Sequence, residues 1–80
     1  MYYVYFLQST LTGRYYIGFT NDLTARLNYH NRGKVKSTKT GVPWEIVYYE
    51  AHRTSTLARS AERFYKTGQG RRQIKRKLGL

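Results

Sequence analysis

Five side chains in this sequence have the types and spacings to act together on a phosphodiester: Tyr5, Tyr16, Arg26, His30 and Glu62. Tyr5 closes the triplet Tyr3-Val4-Tyr5, and after ten intervening residues comes Tyr16-Ile17-Gly18. Arg26 and His30 are four apart, so a helix would place both on one face. Cleaving a phosphodiester requires an activated water, stabilisation of charge on the phosphoryl oxygens and help for the leaving oxygen. A guanidinium suits the second task, being a fixed fork of donors that stays charged. A free phenol titrates near 10 and is a poor base unless a nearby cation lowers the cost, while a histidine beside it can take or relay a proton. A hard divalent cation, Mg2+ or Mn2+, can be held by one protein carboxylate, with waters and substrate phosphates completing its shell. Of the four carboxylates, Asp22 is placed to start a helix and Glu45 and Glu50 flank a strand, which leaves Glu62. The competing role for Glu62 is an i,i+4 surface pair with Lys66, and for the tyrosines it is core filling. His30 falls at a predicted helix C-terminus, where the helix dipole favours imidazolium. His52 lies outside these motifs.

These side chains need a scaffold, and the pattern around them supplies one. Tyr2-Tyr3-Val4-Tyr5-Phe6 and Tyr15-Tyr16-Ile17-Gly18-Phe19 are aromatic and β-branched, with Thr10-Leu11-Thr12-Gly13 as turn chemistry between them. They read as an antiparallel hairpin. Tyr5 and Tyr16 share a face only if paired residue numbers sum to an odd value, a register the sequence leaves open. Gly18 allows close approach of a backbone or ligand. Asn21 and Asp22 offer an N-cap for a helix over 22–30, with Leu23 and Leu27 at helical spacing. Residues 31–43 are Gly-, Lys- and Thr-rich without periodicity and predict a basic loop. A third strand is expected over 44–50, with Ile46, Tyr48 and Glu50 on one face and Val47 and Tyr49 on the other. Ser55 or Thr56 can cap a second helix with apolar positions Leu57, Ala61, Phe64 and Tyr65, stopped by Gly68. A short third helix would place Ile74 and Leu78 on one face and Arg71, Arg72, Lys75, Arg76 and Lys77 on the other. The order β-β-α-β-α-α implies an α+β domain, a small three-stranded antiparallel sheet flanked by helices, over residues 1–80.

Composition narrows the partners. Fifteen lysines and arginines against four carboxylates give a net charge of +11, a surface that attracts polyanions, nucleic acid foremost. The absence of cysteine excludes disulfides and thiolate metal sites, and two histidines cannot make a His/Cys zinc site. A chain of this size buries only about 60% of its unfolded surface. Its nine tyrosines, three phenylalanines and Trp44 supply the apolar area that compensates. The apolar stretch over 2–7 is too short to span a bilayer and no signal-peptide pattern precedes it, so a cytoplasmic or nucleoid-associated protein with no membrane or obligate protein partner is expected.

Together these motifs resemble the GIY-YIG nuclease superfamily. Tyr3-Val4-Tyr5 matches its first motif with Tyr3 in place of glycine, Tyr16-Ile17-Gly18 matches the second in full, and Arg26, His30 and Glu62 fall on its helical arginine, histidine and metal-binding glutamate. Tyr-Tyr-Ile-Gly, Thr-Asn-Asp-Leu, His-Asn-Arg-Gly, Pro-Trp and Tyr-Tyr-Glu are similar to the minimal single-domain bacterial branch known as UPF0213. The late asparagine of larger members has no counterpart, since none follows Asn31. The resemblance implies a divalent-metal-dependent DNA endonuclease, with Tyr5 the candidate base, Tyr16 a positioning group and Glu62 the metal ligand. The basic loop, with Lys34, Lys36 and Lys39, and the terminal helix are the expected nucleic-acid contacts. The alternatives are a catalytically weak DNA-binding module and an RNA-binding or RNA-processing protein. Retention of all five catalytic-type residues favours the enzyme.

Overall fold

The two aromatic segments pair as expected, and a third strand joins them. In the computed structural model, which describes residues 1–80, β1 (Tyr2–Ser9), β2 (Tyr15–Thr20) and β3 (Trp44–His52) form one antiparallel sheet of order β2-β1-β3. Three helices complete the α+β fold: α1 (Leu23–Asn31), α2 (Ser55–Tyr65) and α3 (Gly68–Lys77). The central strand carries the core, because Val4, Tyr5, Phe6 and Leu7 are all buried and their side chains alternate between the two faces. One face gathers Val4, Phe6, Ala58, Tyr65 and Ile74 beneath α2 and α3; the other gathers Tyr5, Leu7 and Trp44 against Leu23 and Leu27 of α1.

The register between β1 and β2 is the odd-sum one: Tyr5 lies opposite Gly18 and Leu7 opposite Tyr16. Tyr5 and Tyr16 therefore share a face. Between β1 and β3 the register shifts after Phe6, so that Phe6 pairs with Tyr48 but Leu7 with Ile46, leaving Val47 as an extra residue. This bulge overturns the expected face assignment in β3. Tyr48 and Glu50 lie on the α2/α3 side, whereas Ile46 packs with Tyr5, Leu7 and Trp44 on the α1 side.

Helix boundaries also differ in instructive ways. Asp22 caps α1 as expected, its carboxylate accepting from the Ala25 amide at 3.1 Å. The cap of α2 is Thr54, one residue before the expected pair, with its hydroxyl 3.2 Å from the Leu57 amide. The buried face of α2 is Ala58, Ala61 and Tyr65, so Leu57 and Phe64 are exposed rather than in the core. Gly68 does not stop α2, which ends at Tyr65; it is the first residue of α3, capped by Thr67. The tight α2-α3 corner depends on Gly70, where a Cβ would collide with the backbone of Phe64 and Tyr65.

The stretch expected as a basic loop is tied down more firmly than its composition implies. A 3-10 turn spans Lys39–Gly41, and Thr38 before it is fully buried. The Trp44 indole donates to the Thr38 carbonyl at 2.8 Å, and the Ser9 hydroxyl donates to the Gly41 carbonyl at 2.5 Å. Asn31, at the end of α1, bonds both backbone groups of Trp44, accepting at 2.7 Å and donating at 3.0 Å. The loop is thereby clamped between α1 and the start of β3. Glu50 performs a similar service on the other face: Tyr65 and Tyr48 donate hydroxyls to its carboxylate, and Lys77 lies 3.5 Å and His52 3.4 Å from it.

Candidate active site

Tyr5, Tyr16, Arg26 and His30 converge at the α1 side of the sheet, each delivered by a different constraint. Gly18 makes the position of Tyr5 possible, for the phenol ring lies directly across the glycine and a Cβ there would overlap it. The Tyr5 oxygen is 2.9 Å from His30 Nε2 and accepts from Arg26 Nε at 3.3 Å. On the far side of the imidazole, His30 Nδ1 is 2.8 Å from the Thr38 hydroxyl, which itself donates to the Val35 carbonyl at 3.4 Å. Since the Thr38 proton goes to Val35, its oxygen accepts from His30 Nδ1–H. This arrangement favours the tautomer in which Nε2 is bare and accepts the Tyr5 proton. A directed chain runs from Arg26 through Tyr5, His30 and Thr38 to Val35.

The electrostatics agree with this assignment. Burial lowers the His30 pKa to about 4, with the Arg26 charge adding to the effect, so the imidazole is neutral at physiological pH. The helix-dipole expectation of an imidazolium at this position is not met, because full burial of the ring outweighs a terminal dipole. Burial also raises the Tyr5 pKa, and the hydrogen bond and charge of Arg26 only partly offset it. Arg26 is in turn held more firmly protonated by its bond to Tyr5. Its guanidinium lies 5.3 Å from the Tyr29 ring centroid, and no hydrogen bond engages its Nη groups. Tyr16 meets the cluster by its ring, with centroids 5.0 Å from His30 and 6.4 Å from Tyr5.

Glu62 reaches the cluster from α2 by charge rather than by contact, raising the Tyr5 pKa through space. Its Oε2 is 3.2 Å from Lys66 Nζ, forming the expected i,i+4 pair, and Oε1 makes no hydrogen bond. No three His, Cys, Asp or Glu side chains group as a metal cage. That donor set excludes a structural zinc site, and it fits a hard cation that takes one carboxylate and completes its shell with water and phosphate.

Among the expected nucleic-acid contacts, Lys34, Lys36, Lys39, Arg71, Arg72, Lys75 and Arg76 are exposed and make no ion pair. Lys77 differs, being engaged with Glu50 and 3.4 Å from the Tyr48 hydroxyl. Sequence reasoning missed Thr38, which fixes the imidazole, because one threonine in a polar loop carries no periodic signal. No helix is long and apolar enough to cross a membrane.

Known proteins share this arrangement of elements. The family model for the GIY-YIG catalytic domain matches residues 1–76. A UPF0213 protein of Streptococcus agalactiae is 39% identical over 74 residues, covering 91% of this chain and 81% of the relative. One from Streptococcus pneumoniae is 38% identical over 65 residues, covering 80% of this chain and 65% of the relative, a little under two thirds of its length. The solution NMR structure of the UPF0213 protein of Bacillus halodurans superimposes with a TM-score of 0.55 at 29% identity, over 92% of this chain and 82% of that one.

Proposed function

This chain belongs to the GIY-YIG family, whose catalytic domain is that of a nuclease, and on that premise we propose a divalent-metal-dependent DNA endonuclease that hydrolyses phosphodiester bonds. The observation that carries the reading is the directed chain from Arg26 through Tyr5 to a neutral, buried His30. A phenol with a raised pKa cannot stand ready as phenolate. It does not need to: as Tyr5 O–H gives its proton to His30 Nε2, the same oxygen takes a proton from an attacking water, so no free phenolate persists. Thr38 holds the imidazole in the tautomer that leaves Nε2 receptive. Arg26 keeps its Nη fork for the phosphoryl oxygens, whose charge grows in the transition state. Tyr16 packs against both rings and positions them.

Glu62 would hold Mg2+ or Mn2+ through its free oxygen, and the ion would supply charge neutralisation at the phosphoryl and leaving oxygens. The exposed cations of the 31–43 segment and of α3 would hold the strand by its phosphates. The test is cleavage of labelled DNA of single-stranded, duplex, nicked and branched shape, in magnesium, manganese or EDTA. Cutting that needs the metal and disappears in Glu62→Gln, while that variant still binds DNA and folds, supports the reading. Cleavage by Glu62→Gln at the wild-type rate would sink the metal assignment.

A further inference from the structure

Between β2 and α3, on the side of the sheet that Tyr15 and Ile17 face and with Tyr16 also bordering it, a groove of about 460 Å³ opens, within the size range of small-molecule sites. Its walls are apolar: Tyr15 and Ile17 from β2, Phe6 behind them, Ile74 and Leu78 from α3. Its rim is cationic, with Lys66, Arg71 and Lys75, and no aspartate or glutamate side chain lines it. Arg71 and Lys75 make no ion pair within the protein. Tyr15 is 44% exposed, which leaves part of its ring open to a ligand.

We infer that this groove is a nucleobase subsite, taking one base swung out of its stack from the strand being cut. An apolar slot with an aromatic wall and free cations at its lip matches a molecule that is flat and apolar in one part and anionic in the next. A nucleotide within a strand has that alternation. Base stacking on an aromatic ring tolerates any sequence, because every base has a π-face, while neighbouring phosphates meet lysine and arginine. Continuity with the catalytic cluster follows from the strand period. Tyr15 and Tyr16 are consecutive, so their side chains leave opposite faces of β2, and β2 is an edge strand with nothing paired to its outer side. A nucleic-acid strand crossing that edge has one nucleotide in the groove while the next phosphate approaches Tyr16 and Arg26. The inference rests on the nuclease reading, since the strand held here is that reading's substrate.

The test uses binding, so that it is separable from cleavage. Amide chemical shifts are followed by NMR as the protein is titrated with dAMP or with inorganic phosphate, in EDTA. Shifts at Tyr15, Ile17, Ile74 and Leu78 with dAMP but not with phosphate are expected. Affinity for a fluorescent deoxyoligonucleotide, also in EDTA, should fall about tenfold in Tyr15→Ala, the range typical of losing one stacked base. Tyr15→Phe should bind as the wild type does. An oligonucleotide made of abasic nucleotides should bind weakly to the wild type and no more weakly to Tyr15→Ala. Unchanged affinity in a folded Tyr15→Ala, or dAMP shifts no larger than those from phosphate, overturns the subsite. Groove binding by a wild-type protein that cleaves no DNA would support the subsite and overturn the nuclease reading instead.

Discussion

At the scale of single residues, the proposal stands on one hydroxyl and one ring nitrogen. Tyr5→Phe keeps the ring that lies across Gly18 and deletes the oxygen that Arg26 and His30 share. Single-turnover cleavage should slow by roughly a hundredfold or more, the usual loss for a positioned acid or base. Full turnover with only a lowered Tm would show that the hydroxyl serves structure alone. His30 makes a second expectation, in which the sign matters. Its folded pKa of about 4 lies below the ordinary value of 6.5, so the unfolded chain takes up the proton first as pH falls. Stability linked to His30 is therefore complete above pH 6.5 and drains away between about 6.5 and 4. Tm measured across that interval should drop more steeply in the wild type than in His30→Gln, and equal slopes would refute a buried neutral imidazole. The types and spacings of these side chains were legible in the sequence. Their partners were legible only in part, because Thr38 comes from a loop whose position depends on Trp44, Ser9 and Asn31, all distant in sequence or without a periodic signature.

Among the elements, α3 is the one whose attachment decides most. It carries four of the free cations and one wall of the groove, and its polar ties to β3 run from Lys77 to the Glu50 carboxylate and the Tyr48 hydroxyl. The Glu50 pKa is lowered because bonds from Tyr65 and Tyr48 and the charge of Lys77 outweigh its burial. The same bond, added to burial, pushes Tyr65 up to about 12. Glu50→Gln keeps the shape and removes the charge, and denaturant unfolding should show a loss of about 1–3 kcal/mol, as for hydrogen bonds to a charged group. A change below a few tenths would mean that α3 is held by Ile74 and Leu78 alone. Element order, the hairpin and all three helices could be read from periodicity and turn chemistry. Their exact limits could not, since a threonine one position earlier caps as well as the serine that follows it, and Gly70 rather than Gly68 makes the α2-α3 corner.

For the whole molecule, the charge of +11 acts as a field that gathers polyanions before any side chain touches them. Replacing Arg71, Arg72, Lys75 and Arg76 with glutamine, and sparing Lys77 for its bond to Glu50, should weaken DNA binding at moderate salt. The slope of log affinity against log salt should flatten by about 0.7 to 0.9 for each phosphate that is no longer neutralised. Arg26→Ala should instead reduce turnover with little change in that slope, and an unchanged slope in the fourfold variant would assign phosphate binding to another face. The Val47 bulge has a consequence of the same reach. Downstream of it β3 answers to α2 and α3 through Tyr48 and Glu50, and upstream it answers to α1 through Trp44 and Ile46. That one surplus residue works like a phase shifter between two gear trains. Deleting it would leave Ile46 beside Tyr48, the plain alternation that Leu7 and Phe6 already present, so every residue upstream would keep its face; drawing Val47 into the regular ladder is what would reverse them. With Val47 ironed into the ladder, Trp44 would turn away from the clamp that holds Thr38, and His30 would lose its alignment without any residue of the candidate site having been touched.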